Sequence, residues 1–208
     1  MDERIEWSGV VIGVQPRIRL TRSFDQRSHT YPGFLLRIEG TLGGVGGLFR
    51  VGVSSAAHEK YQFQVGDSVE GVGHRVADPR LEIADVYRAS QLRISRDGPV
   101  SVSSAPWHGI PPSLRVYRKR GHRRLAATTY EVRCQTCIWG CAMPVEIILD
   151  QWNPGPRRYR TETFCYGPLS CSVYKPGPLR KVPGRREMTY EEPDWVDQNE
   201  TGHRTADE

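Results

Sequence analysis

The residues with the clearest chemistry are the five cysteines, all of which fall between positions 134 and 171 of a 208-residue chain. Cys134-x-x-Cys137 and Cys141 come first, then Cys165 and Cys171 after a gap. Thiolates gathered from two such groups can hold a metal ion. The intervening sequence shows how they would meet. Val145–Trp152 reads as a strand, Asn153-Pro154-Gly155-Pro156 as a turn, and Tyr159–Phe164 as the returning strand. A hairpin closing symmetrically about that turn would set Val145 opposite Phe164 and Ile147 opposite Glu162. Both cysteine groups then lie at its open end. Scattered core thiols would not cluster this way. Disulfides fit an odd cysteine count poorly. They also fit poorly with the charged start Met1–Arg4, which no apolar run follows. The expectation is therefore a reduced, cytoplasmic chain with a metal site.

Two metals are compatible with the spacing. Zinc takes four ligands at a closed structural site, and Cys134, Cys137, Cys165 and Cys171 would supply them, leaving Cys141 spare. A [4Fe–4S] cluster would instead use Cys134, Cys137 and Cys141 with Cys165 or Cys171. Knuckle, hairpin and knuckle together resemble a zinc ribbon. The second pair departs from the common pattern, being separated by five residues rather than two, and a fifth cysteine is present.

Residues 1–95 must be organised differently. Gly and Pro together number 36 against a hydrophobic content of 38%, which favours short strands and turns. Ile5–Leu20 is a long β-rich run with Gly9, Gly13 and Pro16 as places to bend. Thr21–Thr30 is polar and reads as a loop. Tyr31–Glu39, Leu48–Ser54, a segment within Phe63–Gly73, and Ala84–Ile94 read as further strands. Ser55–Tyr61 is the one short helical candidate. The glycine-rich Gly40–Gly47 reads as a turn, because no Gly-Lys-Ser/Thr follows it and no helix is expected after it. Five strands, a long bent first strand and a helix between the third and fourth resemble the OB-fold, with Phe63–Gly71 like the lead into its fourth strand. The fold class expected is mainly β: an OB-like five-stranded barrel plus a small metal-bound β-hairpin, or ribbon, module. The resemblance implies a binding platform for single-stranded nucleic acid, oligosaccharide or protein.

Residues 96–129 read as a linker with a basic segment, 130–175 as the cysteine module, and 176–208 as an extended basic, then acidic, tail. The basic segment Arg115–Arg124 holds six Arg or Lys in ten residues. Arg115, Arg118, Lys119, Arg120, Arg123 and Arg124 could neutralise phosphates, and Tyr117 could stack on a base. Net charge is +5, in keeping with an anionic partner. The six histidines show no metal-ligand spacing, and neither a nucleophile elbow nor a His-Glu-x-x-His helix occurs. No residue set names a reaction, and no apolar run is long enough to span a membrane. The expected function is non-catalytic binding of nucleic acid, single-stranded DNA or RNA, with a structural zinc module. An iron–sulfur electron-transfer module and a docking subunit for protein partners are the other readings.

Overall fold

The computed structural model describes residues 4–24, 26–96, 105–150, 152–153, 155 and 157–205. The protein is mainly β. Its first strand, β1 (Arg4–Arg22), is the hub. β1 pairs antiparallel with β2 (Arg27–Leu42), and β2 pairs with β3 (Val45–Val53). β3 meets β5 (Val86–Ser95) in parallel at Val51↔Val86. β5 pairs with β4 (Ser68–Arg75), and β4 returns to β1 with Trp7 opposite Gly71. The order β1-β2-β3-β5-β4-β1 is a closed ring of five strands. Alternation along each strand points Val11, Val14, Ile18, Leu36, Ile38, Val51, Val69 and Val86 into one buried cluster. Register shifts after Val11 and after Arg17 let the long first strand bend around it.

Local chemistry fixes the connections. Gly43 and Gly44 take positive φ (57° and 84°), so the β2–β3 turn is two residues long. The expected turn over Gly40–Gly47 is mostly paired strand. Helix α1 (Ser55–Tyr61) is capped by Ser54, whose Oγ accepts from the Ala57 N–H at 3.1 Å. It buries His58 against Phe34, and Nε2 of His58 meets the Pro111 carbonyl at 3.0 Å.

β1 outruns the ring. Its end, Leu20–Arg22, pairs in parallel with β7 (Gly140–Ile148) through Leu20↔Val145, and β7 pairs with β8 (Arg157–Cys165). Ring and cysteine hairpin are thus one continuous sheet, not two modules on a linker. The hairpin register differs from the expectation. Val145 faces Arg160, Ile147 faces Arg158, and Cys141 faces Phe164, so the connection runs from 149 to 156. Of the expected linker, 97–104 lie outside the described residues. The remainder packs: Ala105 is buried beside the cysteines and Pro111 is buried over α1.

Two polar stretches expected to be loose are also ordered. Arg27–Thr30 belongs to β2, pairing with Arg19–Arg22. The basic arm forms β9 (Lys181–Pro183), which buries Val182 completely and pairs with β10 (Thr189–Glu191). The acidic tail then folds back as α4 (Trp195–Thr201). Its carboxylates sit on arginines: Glu192 on Arg22 (3.1 Å), Arg27 (3.3 Å) and Arg180 (3.8 Å), and Glu200 on Arg27 (2.6 Å). The two arms therefore pair with each other. No helix among the described residues is long and apolar enough to cross a membrane.

Candidate metal centre and basic surfaces

A short helix α3 (Ala127–Thr129) runs into a π-helical turn, Tyr130–Cys134, which delivers the first thiol. The chain then turns tightly, with the Cys137 N–H on the Cys134 carbonyl (3.2 Å) and the Gly140 N–H on the Cys137 carbonyl (3.0 Å). Gln15 of β1 clamps this knuckle. Its Nε2 donates to the carbonyls of Cys134 (2.7 Å) and Cys137 (2.9 Å), and its Oε1 accepts from the Tyr130 hydroxyl (2.8 Å). The approach needs a glycine at 140, where a Cβ would come within 2.4 Å of the Cys134 carbonyl oxygen.

β7 pairing places Cys165 directly opposite Gly140. The Gly167 N–H points at Cys165 Sγ (3.4 Å). Beyond it, Cys171 sits in a turn that Arg123 holds by donating to the carbonyls of Pro168 (2.9 Å) and Leu169 (3.5 Å). Cys134, Cys137 and Cys165 share a small buried cluster with Ala105 and Leu125. Burial pushes the Cys134 thiol up to about 12, and the neighbouring sulfurs of Cys137, Cys165 and Cys171 push the same way. Cys137 is raised to about 11 by burial, against N–H groups of Trp139, Trp107 and Gly140 that favour its thiolate. Burial also raises Cys165, opposed by the Gly167 N–H. Three of the cysteines thus lie in one cluster with Cys171 in the turn beyond, and backbone donors aim at two of the sulfurs. They are not drawn in to ligating positions, and among the described residues no three His, Cys, Asp or Glu side chains form a group that could hold a metal.

Cys141 is elsewhere. Successive residues of a strand face opposite sides. Gly140 and Cys165 share one side of the hairpin, whereas Cys141 and Phe164 share the other and lie wholly buried in the main core. Cys141 Sγ contacts the Pro16 carbonyl at 3.4 Å, and burial raises its thiol strongly.

The basic segment 115–124 is partly structural, which corrects the expectation for Tyr117, Arg120, Arg123 and Arg124. It forms α2 (Leu114–Arg120) and β6 (Arg123–Arg124). Tyr117 is wholly buried, its hydroxyl on the Ile138 carbonyl (2.7 Å), so it cannot stack on a base. Arg124 is buried and paired with Asp194 and Asp197 (2.8 Å to the latter). Arg120 donates to the Tyr166 carbonyl (2.8 Å) and covers Trp139; Arg123 covers Tyr174. Arg115, Arg118 and Lys119 remain at the surface, with Arg118 over the Tyr31 ring.

A different basic surface emerges on the β8–β10 side. Leu149, Asp150, Arg158, Arg185, Arg186 and Glu187 line, with Thr189, a groove of about 720 Å³. Arg158 and Arg186 are exposed and make no ion pair among the described residues, whereas Arg185 meets Asp150 at 3.3 Å. Trp152, two residues beyond Asp150, is 80% exposed, and its backbone N–H donates to the Asp150 carboxylate. The sequence carried a signal for this surface, Arg157-Arg158 beside Arg185-Arg186, but nothing local joined them.

No family model matches the chain, and no curated protein or solved structure is significantly similar to it.

Proposed function

We propose that the protein binds single-stranded nucleic acid without catalysing a reaction. In this reading the five-strand ring is an OB-like barrel, and β7–β8 with its two cysteine turns is a zinc ribbon. The strand order, and α1 between β3 and β4, favour the first assignment. Three thiols in one buried cluster, with Cys171 in the turn beyond Cys165 and N–H donors aimed at sulfur, favour the second. Cys134, Cys137, Cys165 and Cys171 would hold the zinc as thiolates, releasing protons and drawing the two turns together. Its contribution would be structural. The core position of Cys141 argues against a cluster that needs this thiol as a ligand.

The observation that carries the binding function is the arginine groove, with the exposed Trp152 two residues beyond its Asp150. Unpaired guanidinium groups neutralise phosphates and release counterions, and an exposed indole stacks on any base. Fluorescence anisotropy with a labelled oligothymidine of about twelve nucleotides tests it. Replacing Arg158, Arg185 and Arg186 by Ala should weaken binding and flatten the slope of log affinity against log salt by about 1.4, near 0.7 for each of the two guanidinium groups that no carboxylate pairs. Absence of wild-type binding at low salt would refute the function. An unchanged slope in the triple variant would refute this placement of it.

A further inference from the structure

Three large aromatic side chains from distant parts of the sequence are exposed around one cleft. Phe24 lies in the β1–β2 turn, Tyr190 in β10, and Trp195 at the start of α4, and they are 46%, 38% and 56% exposed. Single exposed aromatic residues are ordinary; three converging on one cavity are not. The cavity measures about 390 Å³, a size usual for a small-ligand cleft. Among the described residues none of the three rings packs on another aromatic ring.

The polar lining narrows the ligand. Gln26 and Asn199 line the cleft and are exposed, and their side-chain amides have no partner among the described residues. Each amide presents a donor and an acceptor together, the pattern that the edge of a base offers. Arg22 and Arg27 also line it, but Glu192 compensates Arg22 (3.1 Å) and Glu200 compensates Arg27 (2.6 Å). A phosphate finds no uncompensated cation here; a flat neutral heterocycle finds ring faces and amides.

Position narrows it further. Tyr190 follows Thr189, and consecutive residues of β10 face opposite sides of the β9–β10 ribbon. Thr189 lines the arginine groove and Tyr190 the aromatic cleft. A Cβ on Gly184, another groove residue, would lie 3.8 Å from Phe24 Cβ. Groove and cleft are therefore back to back across one thin ribbon.

We propose that this cleft is a nucleobase pocket. It takes one unstacked base of a strand whose phosphates run along the Arg158–Arg185–Arg186 groove and which turns round the Gly184–Met188 end of the ribbon into the cleft. The pocket rests on the single-strand reading above, and the experiment separates the two. Trp195→Ala should weaken oligothymidine binding about tenfold, the usual effect of removing one base–aromatic stack. It should leave the salt slope unchanged, because no phosphate contact is lost. Trp195→Phe should restore most of the affinity, which a mere packing defect would not require. A strand of the same length with abasic positions should bind wild type and Trp195→Ala equally. If wild type binds oligothymidine and Trp195→Ala binds it as tightly, the pocket is wrong and the groove stands. If wild type binds no strand at low salt, both fall. If an oligoproline peptide binds and Trp195→Ala abolishes that binding while strand affinity is unchanged, the cleft is a peptide site instead.

Discussion

Cys137→Ser and Cys141→Ala should behave oppositely, and the contrast can be sized from the structure. Cys141 is wholly buried in the main core, away from the other four sulfurs. Truncating it to Ala removes one buried heavy atom, comparable to a methylene plus the small void left behind, and one weak S–H contact to the Pro16 carbonyl. The cost is about 1–2 kcal/mol, or about 2–8 °C in Tm for a chain of this size. Zinc content should stay near one per chain. Cys137 belongs to the clustered sulfurs, and its serine variant loses a soft ligand. Structural zinc in small domains has apparent binding energies of about 10–16 kcal/mol, so partial loss of that coupling exceeds any packing term. Metal should leave on dialysis, and the knuckle should become open to protease. Metal analysis of dialysed protein with urea unfolding of both variants is the assay. A Cys137→Ser protein that keeps its zinc refutes the ligand set. A brown wild-type protein that bleaches in Cys141→Ala refutes the reasoning from strand faces as well.

Two further perturbations address the tail clamp. Glu192→Gln leaves Arg22, whose side chain is 4% exposed, as a buried cation without its carboxylate. Breaking such a pair costs about 3 kcal/mol, so the urea midpoint should fall and limited proteolysis should release the segment after Arg180; an unchanged midpoint refutes the clamp. Acid should loosen the same region. Burial, then the charges of Arg27 and Arg22, lower His29 to about 4, and its ring centroid is 5.0 Å from that of His122, which burial also lowers strongly. Both are neutral in the fold, while the unfolded chain takes up protons below about 6.5. Stability is therefore full above that pH and falls as pH drops towards about 4. From pH 6.5 to 5 His29 alone accounts for about 1.6 kcal/mol. His29→Gln should flatten the urea-midpoint profile over that window, and an unflattened profile counts against the buried neutral pair.

Local periodicity made most of the ring legible. Helix Ser55–Tyr61 follows from its Ser54 cap and short amphipathic run, and the buried alternation of β1 to β5 is written in Val, Ile, Leu and Phe. What failed were segments stabilised from far away. Arg27–Thr30 carries no strand pattern, yet it pairs with Arg19–Arg22 and is covered by Glu192 and Glu200. Arg22 and Glu192 are separated by 170 residues, and no local signal links them. The Asn153–Pro156 stretch attracted the hairpin turn because of its residue types. The true register is set by what the strands must face: Phe164 and Cys141 fill the core, which leaves Cys165 opposite Gly140.

The same distinction separates the parts of the site. Cysteine spacing made the cluster readable, but assigning Cys141 required knowing the strand face, which spacing alone does not contain. Charge density was the weaker guide. Arg120, Arg123 and Arg124 stand in the most basic run of the chain, yet each is engaged with carbonyls, rings or carboxylates inside the fold. A guanidinium is multivalent and planar, so a fold rich in turns can use it to hold carbonyls and cover aromatic faces. Arginines left without such partners carry the electrostatic argument, and these are Arg158 and Arg186, on separate hairpins that meet only in three dimensions. Gln15 makes the corresponding point for the cysteine cluster: one amide from the ring strand holds both carbonyls of the first knuckle, so the two parts of the chain are assembled together.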